Sequence, residues 1–239
     1  MTRHAVLTAD DHRDLRIRTD SSADLGDAVM SCFTVPLEFR SLQHRFPILF
    51  RRNEATGAFS ALALLGFEAG ENLFLDGDRW DADYKPMALA VQPFLVGRSA
   101  GADVPSQIHI DLDHPRIATA DDGTLLFDVH GRPTPYLERV SEMLGDLDEG
   151  YRSSGRFFAA LERYDLIEPF FLDVTLRNGS SHRMVGYHLI NEEKLLALEP
   201  GAIAELHREG HLLPIFMALA SLSSLADLIE RKNRAEAHG

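Results

Sequence analysis

Residues 35–52, VPLEFRSLQHRFPILFRR, and residues 61–86, ALALLGFEAGENLFLDGDRWDADYKP, carry the densest structural signal in this 239-residue chain. Pro36 stands where a first helical turn tolerates a missing N–H. Phe39, Leu42 and Phe46 then recur at helical steps. Pro47 pushes the residue before it out of the α region and ends that helix. Residues 47–51 and 59–67 read as two strands, joined by the turn-rich stretch 53–57, NEATG. Residues 72–75 read as a third short strand, closed by Asp76-Gly77-Asp78.

Further along, residues 88–96, 108–112 and 125–129 read as strands, with 97–106 a loop and His130-Gly131-Arg132-Pro133 closing the last strand. Helical periodicity follows in 135–147 (Leu137, Val140, Met143, Leu144) and 153–164 (Phe157, Phe158, Leu161). Residues 170–177 and 184–190 pair as a late hairpin around Asn178-Gly179. Two short helices, 192–198 and 202–209, precede Gly210, a helix-ending residue. A final helix over 213–231 carries the stripe Ile215, Leu219, Leu222, Leu225 and Ile229. On it, Ser221, Ser223 and Ser224 allow close approach of another element. Residues 1–27 read as a polar lead-in in which Leu15 and Ile17 could form one edge strand, and 28–235 as a single domain. Strands from the N-terminal half form a mixed or antiparallel sheet, and helices dominate the C-terminal half, so the expected class is α+β.

The chain is 45% hydrophobic, enough for a sizeable core. Lys and Arg number 24 against 37 Asp and Glu, a formal net charge of −13. An acidic balance repels phosphate backbones and anionic membranes, so a nucleic-acid role is not expected. The one cysteine, Cys32, permits no internal disulfide and reads as a buried small hydrophobe. The N-terminus lacks a signal-peptide pattern, because Asp10, Asp11 and Asp14 fall where an apolar region would lie. The apolar run 212–226 contains Pro214 and several serines and falls short of the ~20 residues a bilayer needs. No membrane insertion and a cytoplasmic location are therefore expected.

Three constellations carry possible chemistry. Gly97-Arg98-Ser99-Ala100-Gly101 matches the G-x-S-x-G elbow of serine hydrolases, but Pro105 forbids the helix that must follow. In His109-Ile110-Asp111-Leu112-Asp113-His114, a strand would place His109, Asp111 and Asp113 on one face, a possible divalent-metal site. The same alternation describes a strand with one wet face. Asp76, Asp78 and Asp81 surround Trp80, with Tyr84 following. This turn fails the calcium-loop template, yet its aromatics rimmed by carboxylates suit a peptide or a cationic group. No dinucleotide, Walker or H-E-x-x-H motif is present, so no cofactor is expected.

In order, the strings Val35-Pro36-Leu37, Phe46-Pro47-Ile48-Leu49-Phe50, Leu64-Leu65-Gly66, Asn72-Leu73-Phe74, Trp80, Tyr84-Lys85-Pro86 and Gln92-Pro93-Phe94 resemble the bacterial SapC family. Leu126-Phe127-Asp128 with Gly131, Gly186-Tyr187, Leu206, Gly210 and Ser221-Leu222 continue the resemblance, which spans residues 30–232. The family is named after a locus for surface-layer protein secretion. The resemblance implies an accessory or binding protein without recognised catalytic residues, linked to export, uptake or modification of surface-layer or outer-membrane proteins. Its expected partner is a protein or peptide, met by Trp80, Tyr84, Asp76, Asp78 and Asp81 or by the final helix. The alternative is a metal-dependent enzyme built on His109, Asp111 and Asp113.

Overall fold

The computed structural model describes residues 3–97, 107–118 and 122–238. In chain order these form β1 (His4–Val6), α1 (Ala9–His12), β2 (Arg16–Ile17), β3 (Ser31–Thr34), α2 (Phe39–Leu42), β4 (Ile48–Arg52) and β5 (Phe59–Leu64). Next come β6 (Leu75–Asp76), β7 (Arg79–Trp80), α3 (Met87–Ala90), β8 (Phe94–Gly97), β9 (Gln107–Asp111) and β10 (Thr124–Leu125). The rest is α4 (Pro135–Arg163), β11 (Ile167–Thr175), β12 (Ser181–Ile190), α5 (Glu192–Leu196), α6 (Pro200–Arg208), α7 (Leu212–Ser221) and α8 (Ser224–His238). Every strand pair is antiparallel and the long helices lie late in the chain, so the class is α+β.

Chain contacts divide the protein into two compact units. The first comprises Met1–Ala28, Leu75–Asp81 and Met87–Asp148. It holds the sheet β1-β9-β8 and the two-stranded pairs β10-β2 and β6-β7. Its core joins Ile17, Phe94, Ile110, Leu126 and Phe127 to Leu137, Val140 and Leu144 on α4. Residues 3–27 are therefore part of a folded unit rather than a lead-in. Ile17 and Leu25 are buried, and so is Asp27, whose Oδ2 accepts from Arg116 Nη2 at 2.6 Å. Arg116 also donates from Nη1 to the Arg18 and Asp20 carbonyls at 3.0 and 2.8 Å.

The second unit comprises Val29–Phe74, Ala82–Pro86 and Glu149–Gly239, and carries the five-stranded sheet β11-β12-β4-β5-β3. Its register opposes Ile48 to Ala63 and Phe50 to Ala61, small against large. Phe50 meets Phe157 and Phe158 edge-on at 6.3 and 5.2 Å, and Phe39 meets Phe157 at 6.0 Å. Such pairs add roughly 0.5–1.5 kcal/mol each beyond burial. Cys32 is buried on β3, and burial, then the Glu38 carboxylate, holds its thiol well above the usual range.

Six expected elements differ, each for a reason in hydrogen bonding, proline placement or packing. Of residues 72–75, the first three turn instead of pairing, because Asn72 Oδ1 accepts from the Phe74 amide at 3.0 Å, and the ladder starts at Leu75. Residues 88–96 split into α3 after Pro86 and β8 after Pro93. Residues 125–129 leave the ladder early, as Asp128 Oδ1 accepts from the amides of His130 and Arg132 at 2.8 and 2.9 Å. The two helices 135–147 and 153–164 are one helix, α4. Gly150 does not break it, because glycine here admits Val35, whose Cγ2 would lie 2.5 Å from an added Cβ. Conversely, the helix 213–231 is broken between α7 and α8, where Ser221 and Ser223 donate to the carbonyls of Ala218 and Ala220 three residues back.

By length and a mean hydropathy of 1.9, the segment Leu212–Ala237 meets a measure for a bilayer span that core helices of soluble folds meet too. In this unit α7 packs on α2, β4 and β12 through Pro214, Ile215, Ala218 and Ser221. Ser221 also takes the Ile48 amide at 2.9 Å, and Ser224 donates to the Gln43 carbonyl at 3.2 Å. These serines are hydrogen-bonding partners of β4 and α2, not only small side chains.

Breaking the buried Arg116–Asp27 pair strands a charge in the core. Asp27→Ala should cost about 3–5 kcal/mol in urea unfolding, and Arg116→Met with Asp27→Leu should recover part of it. Gly150→Ala should cost about 1–3 kcal/mol despite alanine's better helix propensity, with Val35→Ala restoring part. Gly155→Ala on the same helix, where an added Cβ meets nothing within 4 Å, should instead stabilise. Its gain should be about 0.5–1 kcal/mol.

Candidate functional site

Residues before and on α2 form one wall of a cleft in the second unit, and α4, the α6–α7 connection and α7 form the others. The cavity measures about 810 Å3. Pro36, Leu37 and Arg40 come from the first wall; Ser153, Arg156, Phe157 and Arg163 from α4; Glu209, Gly210 and His211 from the connection; Leu213, Pro214 and Met217 from α7. Arg156 and Arg163 lie seven residues apart, on one face of α4. Phe157 is a buried floor residue, whereas Leu37 and Leu213 are 61% and 54% exposed.

A four-residue helix such as α2 has no stability of its own; its burial fixes it. Phe39 and Leu42 are fully buried. Glu38 at its N-cap is buried as well, accepting from Thr34 Oγ1 at 2.6 Å and from the Tyr84 hydroxyl at 2.9 Å. Arg40 is held outward by that arrangement.

Charge is unevenly matched around the cleft. Arg163 pairs with Glu205 at 2.5 Å. The Tyr164 hydroxyl donates to the same carboxylate at 2.6 Å, and that bond, with Arg163 and Arg208, holds Glu205 below its ordinary range. Arg40 and Arg156 have no ion-pair partner among the described residues. His211 Nε2 lies 3.5 Å from Glu209, and its ring meets Phe157 at 5.8 Å. Burial lowers the His211 pKa, with Arg156 and Arg163 adding to the effect and Glu209 opposing it. The one hydroxyl of the lining, on Ser153, donates to the Gly150 carbonyl at 3.1 Å. The cleft thus presents cations and apolar surface, with no hydroxyl activated by a histidine.

The expected site residues are distributed differently. Asp76, Asp78, Trp80 and Asp81 share the β6–β7 hairpin of the first unit. Its acidity is partly spent: Asp76 pairs with Arg79 at 2.8 Å, and Asp76, then Asp81, raise the Arg79 pKa. Tyr84 belongs to the second unit, where its hydroxyl serves Glu38. The five residues therefore do not build one surface within one unit.

His109, Asp111 and Asp113 form no cluster suited to a metal ion among the described residues. Strand β9 ends at Asp111, so Asp113 sits in the following turn. Asp111 Oδ1 accepts from the Asp113 amide at 3.0 Å, and Asp113 Oδ2 from the Arg3 amide at 2.9 Å. The His109 ring fills the space where Gly97 lacks a side chain. His114 accepts the Arg116 amide at 3.2 Å on Nδ1. Ser99, the nucleophile of the G-x-S-x-G reading, lies outside the described residues.

Arg40, Arg156 and His211 were not singled out in the sequence. Each arginine sits on the polar side of an amphipathic pattern, where solvent exposure is the ordinary reading, and only folding brings α2 to α4.

His211 makes stability depend on pH. Its folded pKa lies below the unfolded value of 6.5, so protonation favours the unfolded chain. The stability it contributes is complete above about pH 6.5 and is lost as pH falls through the lowered folded value. His114 and His188 shift the same way, burial again being the main cause. The urea midpoint should fall between about pH 7.5 and 5. His211→Gln should shrink that fall; an unchanged pH slope would contradict the assignment.

A family model described as SapC matches residues 7–228. Comparison with curated proteins and with solved structures found no match. The match begins at Leu7, so it takes in most of the segment read as a lead-in, which supplies β2 and the buried Ile17. With a match over nearly its whole length, the chain belongs to the SapC family.

Proposed function

We propose that this chain is a non-catalytic accessory protein that works in the bacterial cytoplasm by holding a protein or peptide partner destined for, taken up at or modified for the cell surface. The cleft of the second unit is its binding site. The observation that carries this reading is the pairing of two arginines lacking ion-pair partners among the described residues with an exposed apolar rim in one concave site. Concave, mostly apolar sites with a few convergent polar groups are where proteins bind, and arginines are enriched among the residues that anchor interfaces. SapC membership supports the link to surface biology through the locus that names the family.

A photo-crosslinking residue placed at Leu37 or Leu213 in living cells tests it. The same residue at Val129, 83% exposed in the other unit, is the control. The expected result is a discrete adduct from both cleft positions that contains a surface or outer-membrane polypeptide and is missing from the control. No adduct from either cleft position overturns the proposal.

A further inference from the structure

The cleft carries enough chemistry to specify its occupant, given that it is the binding site proposed above. We infer that it takes an acidic peptide segment in which apolar side chains are flanked by two carboxylates.

The first ground is charge. The chain bears a formal charge of −13, yet three arginines line this one cleft. Arg163 is matched by Glu205, and Glu209 faces His211. Arg40 and Arg156, on α2 and α4, are left without an ion-pair partner among the described residues. Arginine's planar fork matches a carboxylate with two parallel hydrogen bonds. Two such groups on two elements match two carboxylates, whereas a fatty acid brings one.

The second ground is the apolar part of the same lining. Leu37, Leu213, Pro36 and Met217 offer apolar contact, and the volume of about 810 Å3 accommodates a few side chains rather than a domain. Nucleotides fit less well, because the aromatic residue of the lining, Phe157, is buried and offers no open face for a base. A peptide unites apolar side chains with separate carboxylates and needs no such face.

Fluorescence anisotropy with a labelled peptide, Glu-Leu-Phe-Glu capped at both ends, tests the inference on the full chain. The comparison peptides replace both glutamates by glutamine or by lysine. Arg40→Glu and Arg156→Glu are surface changes whose folding is checked by thermal unfolding. The glutamine peptide should bind about tenfold more weakly or worse, since hydrogen bonds to charged groups contribute more than a decade each. Each arginine variant should lose the acidic peptide by a similar factor, and the double variant should prefer the lysine peptide. Equal binding of acidic and glutamine peptides overturns the inference, as does full displacement of the acidic peptide by laurate, which would assign the cleft to a lipid. Self-association that the two substitutions abolish, without peptide binding, also overturns it and assigns the cleft to a second copy. If cleft crosslinks form in cells while these peptides fail, the occupant's chemistry falls and the binding role stands. If crosslinks fail too, both fall.

Discussion

A charge withdrawn from water must find its partners inside the fold, and this constraint marks where distant segments of the chain meet. In the first unit, Arg116 gathers two backbone carbonyls and Asp27 around itself, with both side chains at most 4% exposed. In the second, Lys232 is buried between Glu71 at 2.7 Å and Glu236 at 2.8 Å, with Glu68 at 3.5 Å. Burial alone would lower the Lys232 pKa, but the hydrogen bonds to Glu236 and Glu71 outweigh it and keep the group charged. Arg231, one residue earlier, lies over the Phe74 ring at 4.4 Å and donates to the Leu73 carbonyl. The α8 helix is thus tied to the 68–74 loop by charge and cation–π contact as much as by Leu228. Removing one partner from such a cluster costs far more than the pair contributes.

The same constraint explains how the cleft acquires its geometry. Glu38 and Arg40 are two residues apart, and the first is drawn inward by Thr34 and Tyr84. That anchoring holds a helix too short to persist alone, with Phe39 against Phe157 behind it. Arg40 is therefore presented by a rigid support, although it is exposed. Arg156 is placed by the long α4 helix, whose next residue, Phe157, is the shared core ring. Positions set this way lose little conformational freedom when a partner arrives. Tyr84, which the sequence suggested as a recognition residue, supports the site indirectly by holding Glu38.

Much of the second unit was legible from its residues. The two strands around NEATG and the hairpin around Asn178-Gly179 lie where turn chemistry puts them, and Phe39 and Leu42 lie on α2, although that helix ends at Leu42, before Phe46 and Pro47. Local competition was harder to read. Asn72 and Asp128 divert their segments through side-chain hydrogen bonds that look, in sequence, like ordinary strand ends. Residues 135–147 and 153–164 read as separate helices, and the packing reason for Gly150 between them, Val35, lies over a hundred positions away. The polar opening segment concealed a folded element, since Asp27 reads as solvated until Arg116 is known to meet it. The site was less legible than the fold. Asp76, Asp78, Trp80 and Asp81 were visible as a cluster because they are contiguous, while Arg40 and Arg156 converge only through tertiary structure.

An acidic occupant in an acidic protein looks contradictory until distance is considered. Beyond about 8–10 Å at physiological salt, exposed charges are screened, so the net charge acts weakly on a docked ligand. At contact, paired hydrogen bonds from Arg40 and Arg156 would dominate, in a concave site that reduces competition from water. Under that proposal, a chain lacking correctly spaced carboxylates completes fewer of those bonds and is held less well. Selectivity between partners is a difference of affinities. If the cleft takes an acidic peptide, that difference would come from how many paired bonds the spacing of its carboxylates completes with Arg40 and Arg156, since the long-range charge of the chain is screened for every candidate alike.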